Sequence, residues 1–282
     1  MSYQPSQLRR QREAEKARAS RRSTLIALTS TLVAAMILVY VIAGAKGFVP
    51  VRQTFFSWHY AVHAIPSVLS GLWLNLRVLF FAEIFVLIFG LLIAIARTTT
   101  NPLFTPLRIA AAAYTDIFRG LPLLLVLLLV GFGIPGLQLS WLPNSAVILG
   151  TLSLILTYSA YVGEVIRAGI EAVNPAQRMA ARALGLSRTQ TQRRVILPQA
   201  LRKVLPPLLN DLISLQKDSG LISVLGAIDA IRAAGIETAQ SFNFTPYVLA
   251  GVFFVSLTIP LTRFTDWLTR KQDRVRQQQG QW

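Results

Sequence analysis

Cysteine is absent from the 282 residues. Its absence excludes disulfides, thiolate nucleophiles and cysteine-ligated metals. Histidine is nearly absent, with only His59 and His63. Four residues apart, they would share one face of a helix. A zinc site would need further ligands, and the nearby sequence offers no convergent carboxylate, so the pair reads as polar rings near a membrane surface. Charge is scarce as well. Asp, Glu, Lys and Arg make up 14% of the chain, against about 25% in a soluble domain. Acids are the rarer sign, 12 against 28 basic residues. These few acids form no coherent catalytic constellation of the kind an integral membrane enzyme needs. No GxxxxGK[ST] phosphate loop occurs, so the chain is not expected to hydrolyse ATP alone.

Apolar residues are abundant, at 53% of the chain. They fall in long runs separated by short basic blocks. A nucleic-acid binder spreads its charge along a surface, and no such partner is expected. Basic blocks between apolar runs instead describe a multi-pass membrane protein with basic cytoplasmic segments.

A crossing helix needs about 20 mostly apolar residues. Candidate spans cover roughly 25–45, 72–96, 109–136, 145–165 and 246–265. Seven Lys/Arg and two acids precede the first span. That lead is too long for a signal peptide and lacks a clean cleavage site, so an uncleaved anchor with a cytoplasmic N-terminus is expected. Segment 163–203 holds eight Lys/Arg and two acids, which assigns it to the cytoplasm, as the basic C-terminal tail is assigned. Parity then demands one further crossing between about 204 and 246. No clean apolar run exists there, since Lys217, Asp218 and Gly220 interrupt it. A broken helix sheltered by protein is expected. The fold class is all-α and polytopic, with about six crossings.

The basic segment carries helix signals. Asn174 and Pro175 suit an N-cap and first position, with Gln177 at capping-box spacing. Gly185 fits a left-handed stop. Ser187 and Gln190 repeat the box spacing, and Pro198 is expected to limit the second short helix. Met179, Ala183, Leu184 and Leu186 form an apolar stripe. Two short helices about a glycine bend suit insertion into a cleft of a cytoplasmic partner. A solvated linker whose arginines only fix topology is the other reading.

The segment resembles the cytoplasmic loop of ABC importer permeases, the inner-membrane subunits of binding-protein-dependent uptake systems. The family pattern is Glu-Ala-Ala, three residues, Gly, nine residues, Ile, one residue, Leu-Pro. Ala180, Ala181, Gly185, Leu197 and Pro198 match it, while Met179 replaces the glutamate and Val195 the isoleucine. Further matches are to the polar amino acid subfamily: Gly71; Arg119-Gly120-Leu121-Pro122; Ser159-Ala160-Tyr161 with Glu164, Arg167, Gly169 and Ile170; Pro198-Gln199-Ala200 with Arg202; Pro206-Pro207-Leu208 with Asn210; and Leu215, Lys217, Asp218 and Leu221.

The resemblance implies a type I ABC importer permease fold. It implies a core over 71–268 with a coupling loop at about 166–203, an added helix at 25–46, and cytoplasmic tails at 1–24 and 269–282. It also implies a cytoplasmic ABC ATPase dimer, a second permease subunit, identical or related, and an extracytoplasmic solute-binding protein. The implied substrate is an amino acid, carried across the lipid bilayer of a prokaryotic cell by alternating access. No cofactor is implied for the chain itself; ATP and Mg belong to the partner ATPase. Gln177, Met179, Ala180, Ala181, Ala183, Leu184, Gly185, Leu186 and Pro198 are the implied coupling residues.

Charged side chains within spans usually face a cavity or one another. Arg77 either touches solute or snorkels outward. Glu83 either contacts a cationic substrate or pairs with a basic residue. Asp116 and Arg119, three apart, are expected to pair locally or to gate the pathway. Glu164 and Arg167 share that spacing and are expected to brace the loop. Lys217 and Asp218 are adjacent and point differently, so one is available to the pathway and the other to loop backbone. Two rivals stand beside the importer: a secondary transporter or channel, which would often show inverted repeats, and a non-transporting scaffold contacting anionic lipid.

Overall fold

A computed structural model describes residues 7–99 and 101–279, with side-chain surroundings for 22–99, 101–187 and 189–271. The chain divides into two units, residues 1–57 and 58–282. The first contains α1 (Gln7–Gly44) and α2 (Phe48–Phe55). Arg22–Gly44 of α1 is 23 residues long, about 35 Å at the helical rise, enough to cross a hydrocarbon layer. The hydroxyls of Thr29, Ser30 and Thr31 are satisfied within the helix. Thr29 Oγ1 donates to the Leu25 carbonyl at 2.8 Å and Thr31 Oγ1 to the Ala27 carbonyl at 2.7 Å. Lipid offers no partner for a free hydroxyl, so this local bonding matters.

The second unit begins with α3 (Trp58–Thr98), 41 residues long, well beyond the expected 72–96. Packing explains the extension. Ala64, Val68 and Leu72 are buried against Ala230, Ala234 and Ala250, which holds the polar, aromatic start of α3 helical. Buried residues Ala64, Val68, Gly71, Asn75, Val78, Ala82, Val86, Gly90 and Ala94 follow one another at spacings of three and four, a continuous helical stripe.

A 3₁₀ turn at Pro102–Phe104 leads into α4 (Thr105–Gly120) and α5 (Leu123–Gly136). The single span expected over 109–136 is thus two helices, bent by 107°. Pro122 is the cause. It cannot donate an amide, and it pushes the preceding Leu121 to extended backbone at φ −90°, ψ 137°. Next come α6 (Ala146–Glu171), α7 (Pro175–Ala183) and α8 (Arg188–Thr191). A π turn at Gln192–Ile196 joins α8 to α9 (Leu197–Asp218).

Pro198 therefore does not end the second short helix; the chain runs on into α9. The widened turn, in which the Leu197 amide reaches the Gln192 carbonyl, lies immediately before the missing donor. The proline then sits in the first turn of α9, where a missing amide costs little. A 3₁₀ segment (Ser219–Leu225) follows, then α10 (Ala230–Ser241) and α11 (Thr245–Gln279).

The broken helix demanded by charge parity is present: α9 and its 3₁₀ extension meet α10 at a 51° bend. Among the described residues, four helices are long and apolar enough to cross a membrane, or up to six if each bent pair is one span. The second unit is organised around α3 against α6. Val78, Ala82 and Val86 bury against Leu154, Tyr158 and Val162, with Leu215, Ile222 and Ala227 closing the core. Glycines let the two helices meet. A Cβ on Gly90 would lie 2.5 Å from Val162 Cγ1, and one on Gly163 would lie 3.2 Å from the Gly90 carbonyl oxygen. Small residues at such crossings permit the close packing that drives helix association in lipid.

Candidate functional site: an elbow on a braced helix pair

The elbow is held by backbone chemistry. Asn174 Oδ1 accepts from the Ala176 amide at 2.9 Å and starts α7. The Gln177 amide bonds the Asn174 carbonyl, so the capping box expected there is replaced by a cap from Asn174 alone. At the other end Gly185 has φ +84°. The Leu186 amide reaches the Ala181 carbonyl and the Gly185 amide the Arg182 carbonyl, the paired bonds of a Schellman stop. The second box forms fully. Gln190 Oε1 accepts from the Ser187 amide at 2.9 Å, and Ser187 Oγ from the Gln190 amide at 3.2 Å.

Most of the apolar stripe is left uncovered by the chain. Met179 is 66% exposed and Leu184 83%. Gln177, Ala180 and Ala183 are exposed and Leu186 half-buried, while Ala181 is buried. The elbow thus presents methionine, leucine and alanine outward from a fixed backbone. Its base is packed, with Val173, Ile196 and Ala200 in one cluster beside Ile170. Lys203 Nζ bonds the Ala172 carbonyl, tying the start of α9 to the end of α6.

Glu164 and Arg167 pair as expected: Arg167 Nη2 lies 2.5 Å from Glu164 Oε1 and Nε 3.0 Å from Oε2. Arg167 Nη1 also holds Glu171 at 2.5 Å. Arg97 completes the set, with Nη1 2.6 Å from Glu164 Oε2. Spacing within α6 could reveal the first pair, but nothing local reveals Arg97, which lies 67 residues away. Asp116 and Arg119 do not pair among the described residues. Both are exposed, and the Arg119 guanidinium lies 5.8 Å from the Tyr161 ring centre. The aromatic face on α6 takes the cation instead.

The intramembrane charges fall in two places. Arg77 lines a cleft of about 460 Å³ between α3 and α6, with Phe81, Phe85, Thr151 and Leu152 on its walls. Glu83 has no basic partner among the described residues. The charged group near it is Asp211 of α9, so the expected pairing with a cation is replaced by a second carboxylate. Asp211 Oδ2 is buried without a hydrogen bond among the described residues. Asp218 accepts from Tyr158 Oη at 2.7 Å, a side chain and not loop backbone, while Lys217 is exposed. Asp211 was legible in principle as an acid inside an apolar segment. Of the histidines, His63 Nδ1 lies 3.4 Å from Glu237 Oε2, so a carboxylate does converge there, from distant α10. His59 packs edge-on against Tyr60.

Comparisons with known proteins agree with this geometry. The family described as binding-protein-dependent transport system inner membrane component matches residues 86–274. The arginine transport system permease protein ArtQ of Bacillus subtilis is 35% identical over 208 residues, covering 73% of this chain and 93% of that protein. A putative glutamine transport system permease protein GlnP of Rickettsia felis is 35% identical over 218 residues, covering 76% and 98%. A crystal structure of an amino acid ABC transporter with histidines superposes with a TM-score of 0.70 at 33% identity, covering 76% of this chain and 98% of that one. With its all-helical bundle and its glycine-stopped elbow between α6 and α9, the chain belongs to the family of binding-protein-dependent transport system inner membrane components.

Proposed function

We infer that the chain is the membrane-spanning permease subunit of an ATP-driven amino acid importer. The relatives matched over most of their length are permeases whose names specify arginine or glutamine transport, and these support the amino acid class. The observation that carries the coupling role is the elbow itself: a doubly capped, Schellman-stopped bend that leaves Met179 and Leu184 uncovered. Large apolar side chains on a rigid, otherwise basic surface fit a partner's cleft.

In this reading the partner is a cytoplasmic ABC ATPase dimer, which binds and hydrolyses ATP with Mg. Two permease copies, identical or related, form the path, and an extracytoplasmic solute-binding protein delivers the amino acid. The elbow, the N-terminal lead and the C-terminal tail face the cytoplasm of a prokaryotic cell, in line with their basic charge. The chain does no covalent chemistry. Gln177, Met179, Ala180, Ala181, Ala183, Leu184, Gly185 and Leu186 form the docking end, and Pro198 lies at its return into α9. Glu164 and Arg167 brace it; Asp116 and Arg119 belong to the mouth between α4 and α6. Arg77, Glu83, Lys217 and Asp218 serve the pathway, with Asp211 beside Glu83. Glu83 and Asp211, which have no basic partner among the described residues, suit the ammonium group that an amino acid carries.

The test is ATP-dependent uptake in proteoliposomes holding all partners. Gly185→Asp should abolish flux while leaving membrane insertion intact, because it places a carboxylate on the exposed docking face and a side chain at the φ +84° bend. Wild-type flux in that variant would contradict the coupling role.

A further inference from the structure

The buried stripe of α3 ends in a charge. After Gly90 and Ala94, the next position at helical spacing is Arg97, and its guanidinium meets Glu164 of α6 at 2.6 Å. Both side chains are largely covered, 17% and 20% exposed. Glu164 is at the same time gripped by Arg167, which also holds Glu171, the last residue of α6. Asn174 opens the elbow three residues later. One turn before Arg97, a Cβ on Gly163 would meet Ile93 Cγ2 at 2.9 Å, so the helices touch directly above the ionic link.

We propose that Arg97 is a positioning residue for coupled transport. It fixes the elbow-side end of α3 to that of α6, so that displacement of the elbow moves both helices as one body. The proposal rests on the coupling role inferred above. Arg97 and Arg167 together occupy both oxygens of Glu164, a directional link at the helix ends beside the non-directional apolar packing at Gly90 and Gly163. Without Arg97, α6 still follows the elbow, but α3 is free to lag behind. Because α3 carries Arg77 and Glu83, the lag separates the stroke from the pathway while the docking surface itself stays unchanged.

The experiment reconstitutes the complete transporter with Arg97→Gln, Arg97→Lys and Gly185→Asp. Arg97→Gln should keep hydrolysing ATP while solute moved per ATP falls about tenfold, within the range by which residues between sites modulate coupling. Its melting temperature should stay near wild type. Arg97→Lys should recover most of the ratio, since it keeps the charge without the planar fork. A wild-type ratio in Arg97→Gln overturns the proposal. So does a parallel loss of hydrolysis, flux and melting temperature, which would mark Arg97 as a residue of the fold only. Wild-type flux in Gly185→Asp would instead overturn the coupling role.

A second measurement needs no change at Arg97. The chain contains no cysteine, so spin labels at Ile95→Cys and Ala168→Cys in one permease copy, beside an unlabelled second copy and cysteine-free partner subunits, report the distance between α3 and α6. That distance should be the same in the nucleotide-free and ATP-trapped transporter. A difference larger than the label's own spread overturns the one-body motion.

Discussion

Asn75 of α3 and Asp229, the cap of α10, meet in the interior with Nδ2 3.1 Å from Oδ2. The same Asn75 donates to the Ser219 carbonyl at 3.0 Å and accepts from the Ala230 amide at 3.1 Å. Asp229 Oδ1 takes the Arg232 amide at 2.8 Å. One amide side chain thus satisfies groups on both sides of the break between α9 and α10. A broken helix at membrane depth is tolerated only when protein supplies its missing partners. Asn75→Ala should therefore destabilise the detergent-solubilised protein by about 2 kcal/mol, the scale of a buried group left unpaired. Thermal or denaturant unfolding measures this, and an unchanged midpoint would remove Asn75 from that role.

Gly71 sits one turn before Asn75, and a Cβ there would lie 2.5 Å from the Ala230 amide nitrogen. Backbone cannot step aside as a flexible side chain can. Gly71→Ala should cost about 1–3 kcal/mol and weaken the α3–α10 contact. Gly251 of α11 is the control, because an added Cβ meets nothing within 4 Å. Gly251→Ala should leave the unfolding midpoint unchanged or raise it. Equal losses in both variants would contradict the packing described.

Helix identity and the elbow were legible in the sequence because each depends on local chemistry, and the broken helix between α9 and α10 was expected from the placement of charge. Asn174, Gly185 and the Ser187–Gln190 box act within a few residues, and the apolar runs identify spans by length. The 107° bend at Pro122 followed from a residue in plain view, but hydropathy averages across such a bend. The ties from Arg97 to Glu164, Asn75 to Asp229 and His63 to Glu237 were not legible. They join residues far apart in the chain, and no spacing encodes them. The same limit hid the neighbour of Arg119, a ring on another helix and not the acid three residues before it.

Ser187→Ala removes one half of the second capping box. A lost cap costs about 1 kcal/mol, and the effect should stay local. Hydrogen exchange should quicken at the amides of α8 and the π turn, with little change in α6. Uniform acceleration across the bundle would contradict a local cap.

Glu83 and Asp211 offer a test of the pathway. If they receive the substrate's ammonium, Glu83→Gln should raise the apparent KM for uptake about tenfold, the scale of one lost charge-assisted hydrogen bond. ATP hydrolysis in the absence of substrate should be unaffected. Uptake with an unaltered KM would remove Glu83 from the pathway.

The most direct measurement places a photo-crosslinking residue at Leu184, an apolar side chain of the elbow that is more exposed than Met179, in the complex reconstituted with its ATPase. Coupling through the elbow predicts an adduct with the ATPase subunit that strengthens or weakens as nucleotide is added. An adduct with the solute-binding protein, or none with the ATPase in any nucleotide state, would contradict it.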